Sequence, residues 1–387
     1  MMPGPRLLWE ETQTASNRTP RQINRNLIFN QIRTMQPISR ADLARSSGLQ
    51  RSTVSLIVEE LLAENWIVED SIGNSPRGRK PTFLVVNRRR GVLALDVHPA
   101  QTTLAVTDLS GKISAERNAL LPDNPRKVIG AILDAIRMMI AAHDDVTFEG
   151  IGITLPGRFS HQLKKTIFAP NVQWPIAQIK SRVEEATGLP VVVDNVANAC
   201  ALSEVWFGSS DGTRDLVVVN VSEGIGTGIF ANGRLLRGNV DAAGEFGHVQ
   251  IDPNGLPCNC GSQGCWETIA SNRAAMRYYQ EIAGEDVASF DALLQLAQTK
   301  DRKALDALER MCKALGRGMH MIVSALAPNE IIVVGELTRV WPVASPIIHA
   351  ELRKFPLVGT PRIRITHAPD KARLRSAVAL IMNEKLL

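Results

Sequence analysis

Between Gly247 and Glu267 the sequence reads Gly247-His248, then Cys258-Asn259-Cys260-Gly261-Ser262-Gln263-Gly264-Cys265-Trp266-Glu267. Three thiols and one imidazole are donors that Zn²⁺ takes in a tetrahedral shell, and His248, Cys258, Cys260 and Cys265 would fill all four positions with protein. A shell closed in this way leaves no site for water, so the expected ion is structural. Gly261 and Gly264 supply the sharp turns that bring Cys260 and Cys265 to one ion. The plainer alternative is a group of reduced, buried cysteines. Met1 to Pro20 is polar without an apolar leader core, and no apolar run reaches the roughly 18 residues that span a bilayer. The chain is therefore read as cytoplasmic, where thiols stay reduced and clustered cysteines point to metal more than to disulfides. Cys200 and Cys312 stand apart and are expected in the core.

A second set of residues points to a polyanion. The chain holds 44 Lys+Arg and 39 Asp+Glu; residues 1–90 hold 14 and 8 of them, leaving 30 and 31 for the rest. The whole basic surplus thus sits in the first quarter, as expected when one module meets nucleic acid and the other does not. Three helical patterns follow one another there. Ile23, Leu27, Ile28 and Ile32 form an apolar stripe closing near Met35. Pro37 interrupts it, and Ser39 then caps a short helix with Ala41, Leu43 and Ala44. Gly48 makes a turn, and a third helix starts near Arg51 and carries Val54, Leu56, Ile57, Leu61 and Leu62.

Ile38 to Leu49 followed by Ser52-Thr53-Val54-Ser55 resembles a helix-turn-helix. Arg40, Gln50, Arg51, Ser52, Thr53 and Ser55 are the residues expected to meet phosphates and base edges. Trp66-Ile67-Val68 and Phe83-Leu84-Val85-Val86 read as strands on either side of Ser71 to Pro81, a wing whose basic tip holds Arg77, Arg79 and Lys80. A helical bundle with an incidental basic loop is the alternative. Beyond Arg88-Arg89-Arg90, apolar strands at Val92–Val97, Thr103–Gly111 (ending in a turn), Gly150–Thr154, Val191–Val193 and Leu216–Val219 alternate with helices such as 128–142. Periodicity by itself carries this only to an α/β fold.

These stretches together resemble the ROK family (repressors, open reading frames and kinases), and within it the DNA-binding regulators of the xylose, N-acetylglucosamine and glucose repressor type. The resemblance runs through essentially the whole chain from about residue 21. It implies an N-terminal winged helix-turn-helix followed by an actin-like, ribonuclease H-like, two-lobed sugar-kinase fold. The boundaries that go with it are a disordered arm over 1–20, a DNA-binding domain over 21–88 and a sensor over 89–387. The first lobe would take about 91–198 and a C-terminal helix at 371–387, the second 199–370 with the zinc motif, which matches the family's residue for residue. The resemblance also assigns sugar contacts to Asn195, Glu245, His248 and Glu267, with Gly157 at a turn of the cleft wall. His248 would then serve both zinc and sugar.

The same resemblance argues against phosphoryl transfer. Family kinases carry Asn-Asp-Ala-Asn ahead of a Glu, the Asp acting as base. Aligning Asn195, Asn198 and Glu204 puts Val196 at that position, and valine cannot accept a proton. Asp194 stands two residues from the base position in an extended chain, about 6–7 Å away and out of reach. The first phosphate loop is Asp96-Val97-His98-Pro99-Ala100, with both family glycines gone and a proline removing an amide donor. In Ser222-Glu223-Gly224-Ile225-Gly226-Thr227-Gly228, Glu223 replaces a threonine, and Val334-Gly335-Glu336-Leu337 lacks a paired glycine. The expectation is therefore a non-enzymatic, sugar-responsive repressor of carbohydrate-utilisation genes. It would bind a palindromic operator as a homodimer or tetramer at the nucleoid. A sugar kinase with a DNA-binding arm, and a regulator run by a protein partner over a vestigial pocket, are the alternatives. Leu315 to Leu326 is read as core before interface.

Overall fold

The computed structural model describes residues 18–72, 82–98, 101–169, 172, 174–208, 215–354, 359–367 and 369–386. They form two compact units, one of residues up to Asn87 together with those from Glu384 onward, the other of Arg88 to Asn383.

In the first unit, α1 (Arg18–Met35) is followed by β1 (Ile38–Ser39), α2 (Arg40–Ser47), α3 (Arg51–Ala63), β2 (Ile67–Ile72) and β3 (Thr82–Val86). Residues 18–20, expected in a disordered arm, are instead the first turn of α1. Pro20 is tolerated there because the first N–H groups of a helix have no intrahelical partner. The Ser39 hydroxyl accepts the Asp42 N–H at 3.2 Å and starts α2. Gly48, at φ +72°, ends it in the left-handed region. Ile28, Phe29 and Ile32 of α1 are buried with Leu43, Val54, Ile57, Val58 and Leu61, and Trp66 stands edge-on to Phe29 at 5.6 Å. The helical stripe overshoots this contact: Ile23 and Leu56 are both 61% exposed. A groove bordered by Arg21, Asn24, Thr53 and Leu56 separates the early turns of α1 from α3. The three strands pair antiparallel in the order β1-β3-β2, with Ile38 opposite Leu84 and Ile67 opposite Val86. The tip between β2 and β3, with Arg77, Arg79 and Lys80, lies outside the described residues.

The second unit contains two sheets of the same design. The first comprises β4 (Arg90–Val97), β5 (Gln101–Asp108), β6 (Ile113–Leu120), β7 (Thr147–Leu155) and β10 (Val191–Asn195). Between these lie α4 (Val128–Ala141), a small hairpin of β8 (Arg158–Ser160) and β9 (Lys165–Phe168), and α5 (Ile179–Thr187). The order is β10-β7-β4-β5-β6: β4, β5 and β6 meander antiparallel, and β7 and β10 add parallel. The chain then enters α6 (Val196–Phe207) and repeats the plan with β11 (Leu216–Val221), β12 (Ile225–Ala231), β13 (Arg234–Leu235), β14 (Glu330–Val334) and β15 (Arg362–Ile365). Helices α7 (Glu267–Ala270), α8 (Asn272–Ala283), α9 (Phe290–Gln298), α10 (Arg302–Leu326) and α11 (Trp341–Leu352) belong to this lobe, and α12 (Ala372–Leu386) follows β15.

Alternation along β7 explains how α12 comes to lie against the first sheet. Ile151, Ile153 and Leu155 join the core with α4 and α5. Gly150 and Gly152 face the other way, where an added methyl group would strike Ile381 and the Ala377 carbonyl. Two side-chain-free positions thus let α12 lie directly on the strand. Leu315, Met319, Ile322 and Val323 of α10 are buried in the core of the second lobe, in agreement with the reading of that segment as core.

The tightest contact in that core joins Gly318 to the fully buried Trp266, whose Nε1 donates to the Ala314 carbonyl at 3.0 Å. A methyl group on Gly318 would fall inside the indole ring. Gly318→Ala is expected to destabilise the C-terminal unit by about 2–3 kcal/mol through overpacking, read as a lowered midpoint in thermal denaturation. An unchanged midpoint would mean that Trp266 can move aside freely.

Candidate functional site

The segment that follows β13 turns sharply at Gly244 (φ +88°), forms a short 3-10 turn at Glu245–His248, and reaches the cysteine loop. There the Cys258 N–H donates to the Ser262 carbonyl at 2.8 Å, and Gly261 and Gly264 take φ of +91° and +64°. The ligand atoms of His248, Cys258, Cys260 and Cys265 consequently all lie within 4.8 Å of one another. Cys260 and Cys265 bring their sulfurs to 3.7 Å, and His248 Nδ1 lies 3.6 Å from Cys258 Sγ. Two sulfurs bound about 2.3 Å from one tetrahedral ion would lie about 3.8 Å apart, so the donor set and its spacing suit a metal ion. Cys200 and Cys312 are buried elsewhere, where burial pushes each thiol up to about 12.

Glu245, His248 and Glu267 project from this same segment into a cleft that Asn195 reaches from the end of β10. His248 Nε2 lies 3.7 Å from Glu245 and its Nδ1 3.5 Å from Glu267. Glu267 also accepts the Cys258 thiol at 3.0 Å. Asn195 caps α6: its Oδ1 accepts the Ala197 N–H at 2.7 Å, and its Nδ2 donates to the Gly157 carbonyl at 2.6 Å. Gly157, at φ +119°, permits that approach because any side chain there would collide with Phe168 and Ala169. Arg158 and Phe168 extend the wall, the ring of Phe168 standing edge-on to His248 at 6.0 Å.

Val196 is the first residue of α6, buried and set into the same wall. The two nearby carboxylates are occupied. Asp194, 1% exposed, takes Arg237 at 2.9 Å, His161 at 3.3 Å, the Asn195 N–H at 2.7 Å and Asn198 Nδ2 at 3.2 Å. Burial alone would raise its pKa, but the His161 hydrogen bond and the Arg237 charge outweigh that and hold it below the usual carboxylate range. Asp96, at the head of the first loop, takes Arg373 at 2.9 Å, His98 at 2.8 Å and Thr154 at 2.9 Å. Burial again opposes, and Arg373 and His98 win, leaving Asp96 ionised below its ordinary range. Pro99 and Ala100 lie outside the described residues. Glu223 and Gly224 turn between β11 and β12 on the cleft wall, and Glu336 accepts Asn272 Nδ2 at 2.9 Å.

Arg158, His161, Asn220, Arg237 and Arg373 were not singled out in the sequence. Arg373 and Asp96 are 277 residues apart, and no local spacing signals their pairing. Among the residues expected at DNA, Arg51 and Ser52 are exposed at the start of α3, Gln50 precedes it without a side-chain cap bond, and Ser55 is half-buried. Arg40 is tied to Glu69 at 3.0 Å, and Thr53 turns toward the α1 groove.

Comparison with known proteins places this geometry. A xylose repressor of Bacillus spizizenii is 34% identical over 345 residues, covering 88% of this chain and 89% of that protein. The crystal structure of a ROK family transcriptional regulator, a homologue of the E. coli MLC protein, matches with a TM-score of 0.78 at 25% identity, over 94% of this chain and 96% of that one. A ROK family glucokinase from Streptomyces griseus, in complex with glucose and AMPPNP, matches with a TM-score of 0.67 at 29% identity, over 74% of this chain and 98% of that one. These likenesses carry the two-lobed sugar-kinase-like fold of the second unit. With the ROK family model matching residues 92–383, the chain belongs to the ROK family.

Proposed function

We propose that this chain is a sugar-responsive transcriptional repressor whose second unit binds a sugar without phosphorylating it. One observation carries the reading: Asn195, Glu245, His248 and Glu267 converge on a single cleft in which Val196 stands at the base position. A carboxylate pair at the mouth can accept hydrogen bonds from neighbouring hydroxyls, and an imidazole can donate or accept. A valine cannot take the proton that phosphoryl transfer must remove. Asp194 and Asp96 do not replace it, since each carboxylate is already held by several donors. The repressor and regulator among its relatives support the regulatory part of the reading.

Residues 21–88 act as a winged helix-turn-helix. In support, Ser39 caps α2, Gly48 turns the chain into α3, and β2 and β3 pair beside them. Arg51 and Ser52 lead the recognition helix, with Arg40, Gln50, Thr53 and Ser55 around them. Arg77, Arg79 and Lys80 contact the backbone or a narrow minor groove from the wing. Since Thr53 faces α1 and Arg40 is paired with Glu69, their share of base contact is smaller than that of Arg51. Residues 89–387 are the sensor. A palindromic operator requires paired recognition helices, so the working form is a homodimer or tetramer. It acts on DNA in the cytoplasm. His248, Cys258, Cys260 and Cys265 hold a structural Zn²⁺, supported by the closed donor set and the sulfur spacing.

Three outcomes test this. Cys260→Ser is expected to lose bound zinc in elemental analysis and to unfold its second unit at lower temperature. Zinc retained at a full equivalent would remove Cys260 from the shell. In fluorescence anisotropy with an operator selected from random DNA, Arg51→Ala is expected to bind at least tenfold more weakly. A monosaccharide found by thermal shift should release the wild-type complex and fail to release Glu245→Ala. Release by an added protein, with all sugars inert, would overturn the sensor reading.

A further inference from the structure

The relatives named above include a xylose repressor and a glucokinase, and neither name decides whether a sugar enters this cleft free or as a phosphate ester. The charges on the wall bear on that choice. Building on the sugar-sensor reading, we propose that the effector is an unphosphorylated sugar and that Glu223 is the residue that turns phosphate esters away.

The cleft has two ends, joined by α6. Asn195 caps that helix at the end of Glu245, His248 and Glu267. Cys200, one turn beyond Val196 and on the same helix face, lies beside Asp96 and Arg373 at the inner end. A sugar held by the outer carboxylates therefore points its far substituent past Val196 toward Asp96, Arg373, Asn220 and Glu223. A phosphate on that substituent would need unspent cations there.

The cations beside Asp96 and Asp194 are spent. Arg373 Nε lies 2.9 Å from Asp96 and is flanked electrostatically by Glu336 and Glu223 as well. His98 Nε2 is 2.8 Å from the same Asp96 carboxylate. Arg237 lies 2.9 Å from Asp194 and 3.4 Å from Asp241. Arg158, on the Glu245 side of the cleft, feels the charge of that carboxylate, and its Nε is buried without a partner. One donor at the inner end, Arg373 Nη1, is buried without a partner, but three carboxylates oppose its single charge. Glu223 makes no ion pair among the described residues, and it is exposed to whatever enters.

The uncharged groups of the wall agree. Asn198 Oδ1 and Asn220 Oδ1 are buried, border the cleft and have no hydrogen-bond partner. Each is an acceptor waiting for a donor. A sugar hydroxyl supplies one; a phosphate dianion offers only further acceptors. The inner wall is thus complementary to O–H groups and opposed to anions.

The test is isothermal titration calorimetry on the full chain purified with zinc, using matched pairs: D-xylose and its 5-phosphate, D-glucose and its 6-phosphate. One free sugar is expected to bind at least about a hundredfold more tightly than its ester. In Glu223→Lys that ratio is expected to fall below about tenfold, and in Glu223→Gln to an intermediate value, with circular dichroism confirming that both variants fold. An ester that binds as tightly as its free sugar overturns this proposal and leaves the sensor reading intact, and a ratio unmoved in both variants removes Glu223 as the discriminating residue. A panel in which neither sugars nor esters bind removes the sensor reading, and this proposal with it.

Discussion

His248 turns Nδ1 toward the sulfur of Cys258 at 3.6 Å and Nε2 toward the carboxylate of Glu245 at 3.7 Å, so one ring joins the thiol cluster to the cleft wall. Glu267 repeats the arrangement from the other side, accepting the Cys258 thiol while it faces the cleft. The segment has little freedom to adjust. Gly244 and Gly247 lie so close to the Thr227 and Ile225 carbonyls of β12 that any side chain would collide with them. The polar end of the cleft is therefore only as well placed as the cysteine loop behind it. An ion in that loop would act on the site by orientation, as partners behind a binding residue commonly do.

The opposite wall is governed by the cost of burying charge. A carboxylate removed from water survives only if donors replace the lost solvent. Asp96 and Asp194 meet that condition through four elements: Thr154 of β7, His161 of the β8–β9 hairpin, Arg237 beyond β13, and Arg373 of α12. The same saturation leaves their oxygens engaged with the protein's own donors. A carboxylate held below its ordinary pKa by close cations is a poor proton acceptor, and one whose oxygens are all engaged offers nothing to a new ligand.

What could be read from the sequence divides along the range of the interactions. Ser39 as a cap and Gly48 as a turn were legible because each depends on neighbours within a few residues, and the four metal-type ligands because their residue types alone name the chemistry and they fall in one segment, His248 to Cys265. The Gly150-Ile151-Gly152-Ile153 alternation signalled a strand, but not that its bare face is reserved for α12, more than two hundred residues on. The Asp96–Arg373 and Asp194–Arg237 pairs were illegible for the same reason: ion pairs between distant segments leave no periodicity. The helical spacing of Ile23 in α1 and of Leu56 in α3 misled in the opposite direction. Helical spacing marks an apolar face, but only tertiary packing decides how much of that face is covered, and these two residues remain in solvent.

The repeated sheet design gives the departures from kinase chemistry a direction. Phosphoryl transfer makes demands at the inner end of such a cleft: a base, phosphate-binding amides and a cation to spare. On the proposed function, Val196 and the Asp96–Arg373 pair fall short of the base and the spare cation, while the outer polar set stays assembled. A switch requires less. It needs a ligand whose binding free energy differs between two arrangements of the protein. Asn195 ends a strand of the first sheet; Glu245, His248 and Glu267 belong to the second lobe, in a 3-10 turn and at the start of α7. A ligand that touches both binds well only when the two sheets are correctly placed relative to each other. A cleft walled by both lobes therefore holds what signalling requires, whatever else it does.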